Sequence, residues 1–191
     1  MSKLSGKLRI ERLQRRLRLL TDEQESNAAV ALILTPEDGD FSVLFVKRVE
    51  NPAADPWSGQ IGLPGGKREV EDKNLQQNVI RETLEETGIN LVNSRFLGLL
   101  PAQRATPRPE LIILPFVILL EHRPIIRLNR KELESFIWIP LQEILRSKNT
   151  AKIGSREVPA YVVGKTVIWG LTYRILESLI QIVDNTPDER T

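Results

Sequence analysis

The chain has 191 residues, 27 of them basic and 25 acidic, for a formal net charge of +2, and no cysteine. Disulfides, thiolate metal sites and a cysteine nucleophile are excluded, and the balanced charge does not by itself indicate a nucleic-acid ligand. With 41% hydrophobic and 27% charged residues, one globular domain with a sizeable core is expected.

The N-terminal stretch MSKLSGKLRIERLQRRLRLL breaks every apolar run with Lys or Arg. It lacks a signal-peptide core, and no stretch approaches the roughly 20 apolar residues of a bilayer span. The reading is a cytoplasmic protein without membrane association. Ile10, Leu13, Leu17 and Leu20 recur at three- and four-residue steps, predicting an amphipathic helix over about residues 6–21. Its arginines either solvate a helix packed by the leucine stripe or form a basic patch for a phosphate-rich ligand.

Asn27–Thr35 and Phe41–Val49 read as strands joined by the turn PEDGD. A Pro-rich loop, ENPAADPWSG, leads to QIGLP, a short strand that stops at Pro64. A helix is predicted over about residues 74–87, with Asn74 as N-cap and Gly88 as stop. Apolar segments follow at Arg95–Leu100, Leu111–Leu120 and Phe136–Ile139, with the loop TPRPE between the first two. Pro140–Arg146 reads as a short helix, Val158–Val163 as a strand and Val167–Val183 as a closing helix containing Gly170. This order implies an α/β (α+β) fold, a mixed sheet with helices on its faces. The expected organisation is a basic helical arm over residues 1–25, one domain over 26–184 and a frayed tail over 185–191.

The predicted helix at 74–87 carries the chemistry. At about 100° per residue, Glu86 lies roughly 40° to one side of Glu82 and Glu85 roughly 60° to the other, so three carboxylates share one arc. Ile80 and Leu84 are expected on the opposite, core-facing side. Like charges at i,i+4 are destabilising by roughly 0.2–0.5 kcal/mol, and Arg81 neutralises only part of this cluster. A hard divalent cation would neutralise more, and Mg²⁺ and Mn²⁺ prefer carboxylate oxygens and substrate phosphates. Alone, such a cluster is also what a solvated acidic face looks like. Its neighbour is Gly65-Gly66, where backbone can approach a ligand closely.

Gly66, Arg81-Glu82, Glu85-Glu86, Gly88 and Ile89 together resemble the box of the Nudix hydrolases, G-x5-E-x7-R-E-U-x-E-E-x-G-U with U bulky and aliphatic. Asp72 stands where the box has its first Glu, eight residues rather than seven separate it from Arg81, and Thr83 replaces an aliphatic residue. The loop LPGGKREVEDKN and the stretch IWGLTYRIL are similar to the coenzyme A pyrophosphatase-type branch. That branch usually has an arginine before its glycine pair; this chain has none between Val49 and Gly66.

The resemblance implies a Nudix-like mixed sheet sandwiched between helices, and Mg²⁺- or Mn²⁺-dependent hydrolysis of a nucleoside diphosphate linked to another moiety, with coenzyme A the first choice. ADP-ribose, dinucleotides or nucleoside triphosphates are the enzymatic alternatives, and a non-catalytic nucleotide- or RNA-binding module is the third. It implies Glu82, Glu85, Glu86 and the Gly66 carbonyl as metal ligands, with Arg81 orienting Glu82. Gly65, Gly66, Lys67, Arg68 and Gln60 are expected to meet substrate. Gly59 and Gln60 are candidates for the entrance, Trp57 either stacks on a base or packs within the fold, and Glu110 and His122 are weaker candidates for proton transfer. The partner is a nucleotide conjugate; a nucleic-acid partner is not expected, and monomer and homodimer both stay open.

Overall fold

Burial along one strand dictates the layering. Ala29, Ala31 and Ile33 alternate with Leu32 and Leu34, and all five are buried, so both faces of the sheet must be covered. The computed structural model describes residues 6–20, 25–51, 56–106 and 108–184. The elements are α1 (Gly6–Arg16), β1 (Ala28–Glu37), β2 (Asp40–Arg48), β3 (Ile61–Gly62), β4 (Gly65–Lys67), α2 (Leu75–Thr87), β5 (Arg95–Leu99), β6 (Gln103–Arg104), β7 (Ile112–Leu119) and β8 (Leu133–Pro140). They continue with α3 (Leu141–Arg146), β9 (Lys148–Ile153), β10 (Arg156–Val163), β11 (Thr166–Trp169) and α4 (Gly170–Asp184).

The large sheet follows the order β3-β2-β1-β7-β5, with β4 added on β1, β6 on β7 and β8 on β2. β1 and β7 run parallel, from Ala28↔Ile113 to Leu34↔Leu119. β1 and β2 form the expected hairpin, in which Asp38 and Gly39 both take positive φ (45° and 78°), the geometry that matches strand twist. One face buries Ala31, Ile33, Leu44 and Phe116 against Leu75 and Val79 of α2. The other buries Leu32, Phe45 and Val117 against Leu13, Leu17, Leu176 and Leu179. The three-stranded antiparallel sheet β11-β10-β9 joins this second face through Tyr161 and Ile168. The expected mixed sheet between helices is therefore present.

Several local expectations are corrected. The first helix ends at Arg16, short of residue 21, because Arg18 and Leu99 exchange two backbone hydrogen bonds of 3.1 Å at the sheet edge. Where described, this arm packs by its leucines, and Arg9 is buried beside Asp40 at 3.5 Å rather than displayed. Val167–Trp169 is strand, not helix: it pairs with Ala160–Val162 of β10. The helix begins at Gly170, whose φ of +64° suits glycine at a sharp strand-to-helix junction. β6 and β9 went unread, since two residues and the polar KNTAKI give no period-2 signal. Leu84 is 44% exposed, not in the core; Leu75, Val79 and Thr83 supply the buried face of α2 instead. The expected tail 185–191 lies outside the described residues, as do residues 1–5 and 21–24 of the expected arm.

Candidate active site

The glycine pair sets the geometry. β4 pairs with the start of β1 at Ala29↔Gly66 and Val30↔Gly65. A Cβ on Gly65 would sit 2.2 Å from the Ala29 carbonyl oxygen, and its φ is +139°. A Cβ on Gly66 would sit 2.4 Å from Glu82 Oε2. The first glycine lets the backbone meet β1, and the second lets the carboxylate of Glu82 lie against the strand.

α2 delivers the acids. Asn74 caps it by accepting from the Gln77 N–H at 2.8 Å, and Gly88 ends it in the left-handed conformation. Glu86 is buried, its Oε2 accepting from the Gly65 N–H at 2.9 Å and its Oε1 lying 3.7 Å from the Arg48 guanidinium. Desolvation pushes the Glu86 carboxyl up to about 8, opposed by the Gly65 N–H and Arg48, with Glu82 and Glu132 adding like-charge repulsion. Burial also raises Glu82, against the pull of Arg81.

Arg81 organises the neighbourhood. Its Nη1 lies 3.0 Å from Glu82 and 3.2 Å from Glu85. Its Nη2 and Nε donate to the two carboxylate oxygens of Asp72 at 2.9 and 3.1 Å. That fork–fork pair gives Asp72 a function that the altered box spacing left undefined. Asp72 is buried, also accepts from the Glu69 N–H at 2.9 Å, and is held below the usual carboxylate range chiefly by Arg81.

A cavity of about 390 Å³ opens here, within the range of small-molecule sites. Gln60, Gly65, Gly66, Lys67, Glu82 and Glu86 line it, all expected from the sequence. Glu85 does not; it is 58% exposed at its side chain and rests on Arg81. Arg68 is a correction: its guanidinium donates to the carbonyls of Asp72 and Lys73 at 3.1 and 2.8 Å and braces the loop. Trp57 lines the cavity, whereas Gly59, Glu110 and His122 do not. Arg48, Arg108, Glu132, Leu171, Thr172 and Ile175 also line it and were missed. Arg48 ends a strand and Glu132 sits in a polar stretch, so neither carries a local signal. Thr172 accounts for the closing helix reaching the site, since its hydroxyl donates to the Ile61 carbonyl at 3.1 Å.

The donor set suits a hard cation. Glu82, Glu86 and Glu132 line one cavity with their carboxylates, and the Gly65 N–H and Arg48 only partly offset the burial of Glu86, chemistry that a hard cation would complete. Among the described residues, no three His, Asp or Glu side chains converge tightly enough to form a ready-made cation site. Arg81 accounts for this by drawing Glu82 and Glu85 to itself.

A mixed sheet between helices, with a glycine-backed acidic helix facing a cavity, is the arrangement of a Nudix-type hydrolase domain. The NUDIX domain profile matches residues 25–161, and the chain belongs to the Nudix family. An uncharacterised protein of Schizosaccharomyces pombe is 40% identical over 140 residues, 62% of this chain and 42% of that protein. The peroxisomal coenzyme A diphosphatase ndx-8 of Caenorhabditis elegans is 36% identical over 127 residues, 65% of this chain and 53% of that protein. The chain thus spans about half the length of these two curated relatives. The human mitochondrial coenzyme A diphosphatase NUDT8 is 27% identical over 189 residues, 93% of this chain and 78% of that protein. A MutT/nudix family protein of Enterococcus faecalis shares the fold with a TM-score of 0.57 at 17% identity, covering 98% of this chain and 78% of that one. A C. elegans Ap4A hydrolase does so at 0.52 and 18%, covering 62% and 83%. Among the described residues, no helix is long and apolar enough to cross a membrane.

Proposed function

We propose that this chain is a Mg²⁺- or Mn²⁺-dependent pyrophosphohydrolase that cleaves the diphosphate of coenzyme A or its derivatives. One observation carries the reading: Gly65-Gly66, Glu82, Glu86 and Glu132 share a cavity with Trp57, Lys67 and Arg108. That cavity pairs an acid cluster suited to cations with an aromatic and basic region suited to a nucleotide. Relatives named coenzyme A diphosphatases support the substrate.

Glu82, Glu86 and the Gly66 carbonyl would hold the cation, with Glu85 beside them on the same helix. When bound, divalent cations offset phosphate charge and lower the pKa of an attacking water. Asp72 holds Arg81, and Arg81 holds Glu82, so the ligand arc is oriented from behind. Gln60 and Lys67 meet the substrate. Water adds to one phosphorus, the bridging P–O bond breaks, and adenosine 3′,5′-bisphosphate and 4′-phosphopantetheine leave as monoesters. One carboxylate of the cavity, Glu82, Glu86 or Glu132, accepts the proton of that water. We place the chain in the cytoplasm, as a monomer or a homodimer. The cytoplasm stands against the mitochondrial and peroxisomal sites in the relatives' names, and imaging a tagged chain separates them. Sedimentation separates monomer from homodimer.

The test is kcat/KM for coenzyme A, dephospho-coenzyme A and ADP-ribose with each metal. Coenzyme A is expected to lead. A tenfold preference for ADP-ribose, about 1.4 kcal/mol in transition-state binding, overturns the substrate.

A further inference from the structure

Described residues on both sides of the β6–β7 connection are tied down by side-chain hydrogen bonds. Arg174 of α4 donates from Nη2 to the Arg104 carbonyl at 2.7 Å, with Nε 3.4 Å from Gln103 Oε1 and Nη1 3.5 Å from Thr106 Oγ1. Arg104 in turn donates to the Pro109 carbonyl at 2.8 Å. Asn27 closes the far side, donating to the Glu110 carbonyl at 2.7 Å and accepting from the Ile112 N–H at 2.9 Å. Between these ties sits Arg108, its guanidinium carbon 5.7 Å from the centroid of the Trp57 ring.

Arg108 differs from the cavity's other arginine. Arg48 faces the carboxylate of Glu86. Arg108 has the Trp57 ring as neighbour and, among the described residues, neither an ion pair nor a side-chain hydrogen bond. Five N–H donors in a rigid fork are thus available at the cavity. A planar ring beside a guanidinium without an ion-pair partner suits a base that stacks on the ring and an anion attached close to that base.

We propose that Arg108 is the specificity-determining residue with which this chain reads a second phosphate on the nucleoside of its substrate, outside the diphosphate that is cleaved. Trp57 supplies the stacking surface, and Arg174 is the positioning residue that keeps the loop in place. The inference rests on the reading of the chain as a nucleotide-conjugate hydrolase and adds to it the group that sets substrate choice.

Two substrates that differ only in that phosphate, coenzyme A and dephospho-coenzyme A, test it. The wild type is expected to favour the phosphorylated one by about tenfold or more in kcat/KM, and Arg108→Gln to bring the ratio close to one. Arg174→Met is expected to lower the ratio through the KM of coenzyme A, with Arg174→Lys restoring part of it. Equal loss on both substrates in Arg108→Gln, or an unchanged ratio, overturns the assignment. A second readout is independent of turnover. By calorimetry, the wild type is expected to bind adenosine 3′,5′-bisphosphate at least tenfold more tightly than AMP, and Arg108→Gln to bind both alike. If neither coenzyme is cleaved but this binding difference holds and vanishes in the variant, the hydrolase reading fails and the phosphate site stands. If the two nucleotides bind the wild type equally, the phosphate site falls, whatever is hydrolysed.

Discussion

Adding one methyl group at each of two adjacent glycines should give opposite failures. At Gly65 the new Cβ meets backbone: 2.2 Å to the Ala29 oxygen and 2.7 Å to the Val30 Cα, where ordinary contact begins at 3.4 Å. β1 is buried on both faces and cannot retreat. Overpacking costs about 1–3 kcal/mol, and alanine at φ +139° adds about 1–3 kcal/mol of strain. Chains of this size lose about 2–4 °C of Tm per kcal/mol, so Gly65→Ala is expected to lower Tm by roughly 5–20 °C. At Gly66 the Cβ meets the Glu82 side chain instead, at 2.4, 2.6 and 2.9 Å. That carboxylate can swing away by about 1 Å for an off-rotamer cost of about 0.5–1.5 kcal/mol. The fold should survive with a Tm loss under roughly 6 °C. A misplacement of that size costs about 10²-fold in rate. Thermal denaturation and kcat on coenzyme A, read on both variants, decide the matter. Gly66→Ala that stays within threefold of wild-type kcat, or Gly65→Ala with an unaltered Tm, refutes the reasoning.

Three further expectations follow the same geometry. Asp72→Asn removes a charge-assisted fork to Arg81 and is expected to cost about 1.5–3 kcal/mol. Because the Asp72 pKa is lowered from 3.8, its stabilisation is full above that value and disappears as pH falls through the folded pKa. Acid titration of the variant should therefore show a shallower loss below pH 4, and an unchanged slope counts against the Arg81 pairing. Glu86 has the opposite sign: its pKa rises from 4.5 to about 8, so metal-free protein binds more protons folded than unfolded. Its stability in excess chelator should decline as pH rises between those values, and Glu86→Gln should flatten that decline; equal slopes contradict the burial argument. Glu85→Gln and Glu86→Gln are each expected to cut kcat at least ~10²-fold with the fold retained, and normal turnover in either removes that residue from the site.

The acidic helix was legible because its signals are local. An Asn cap, a glycine stop and carboxylates at i, i+3 and i+4 need nothing from elsewhere in the chain, and the structure keeps both the cap and the stop. The Asp38-Gly39 hairpin was readable for the same reason. VIW was not: three apolar residues fit strand and helix equally, and only pairing with β10 decides. The buried partner of Arg81 could not be seen from spacing alone, because Asp72 reaches it through a folded loop nine residues away. Arg48, Arg108 and Glu132 lie on three separate segments that meet only when the sheet forms. Polar residues of that kind leave no periodic trace. Arg68 shows the converse, a charge well placed in sequence whose guanidinium is taken by nearby carbonyls.

Product identification from coenzyme A, by mass spectrometry with Mg²⁺ or Mn²⁺ and again in excess chelator, tests the central claim most directly. The account predicts adenosine 3′,5′-bisphosphate and 4′-phosphopantetheine in equal amounts, and neither when the cation is removed. Undiminished turnover in chelator, or release of the 3′-phosphate with the diphosphate left whole, would contradict it.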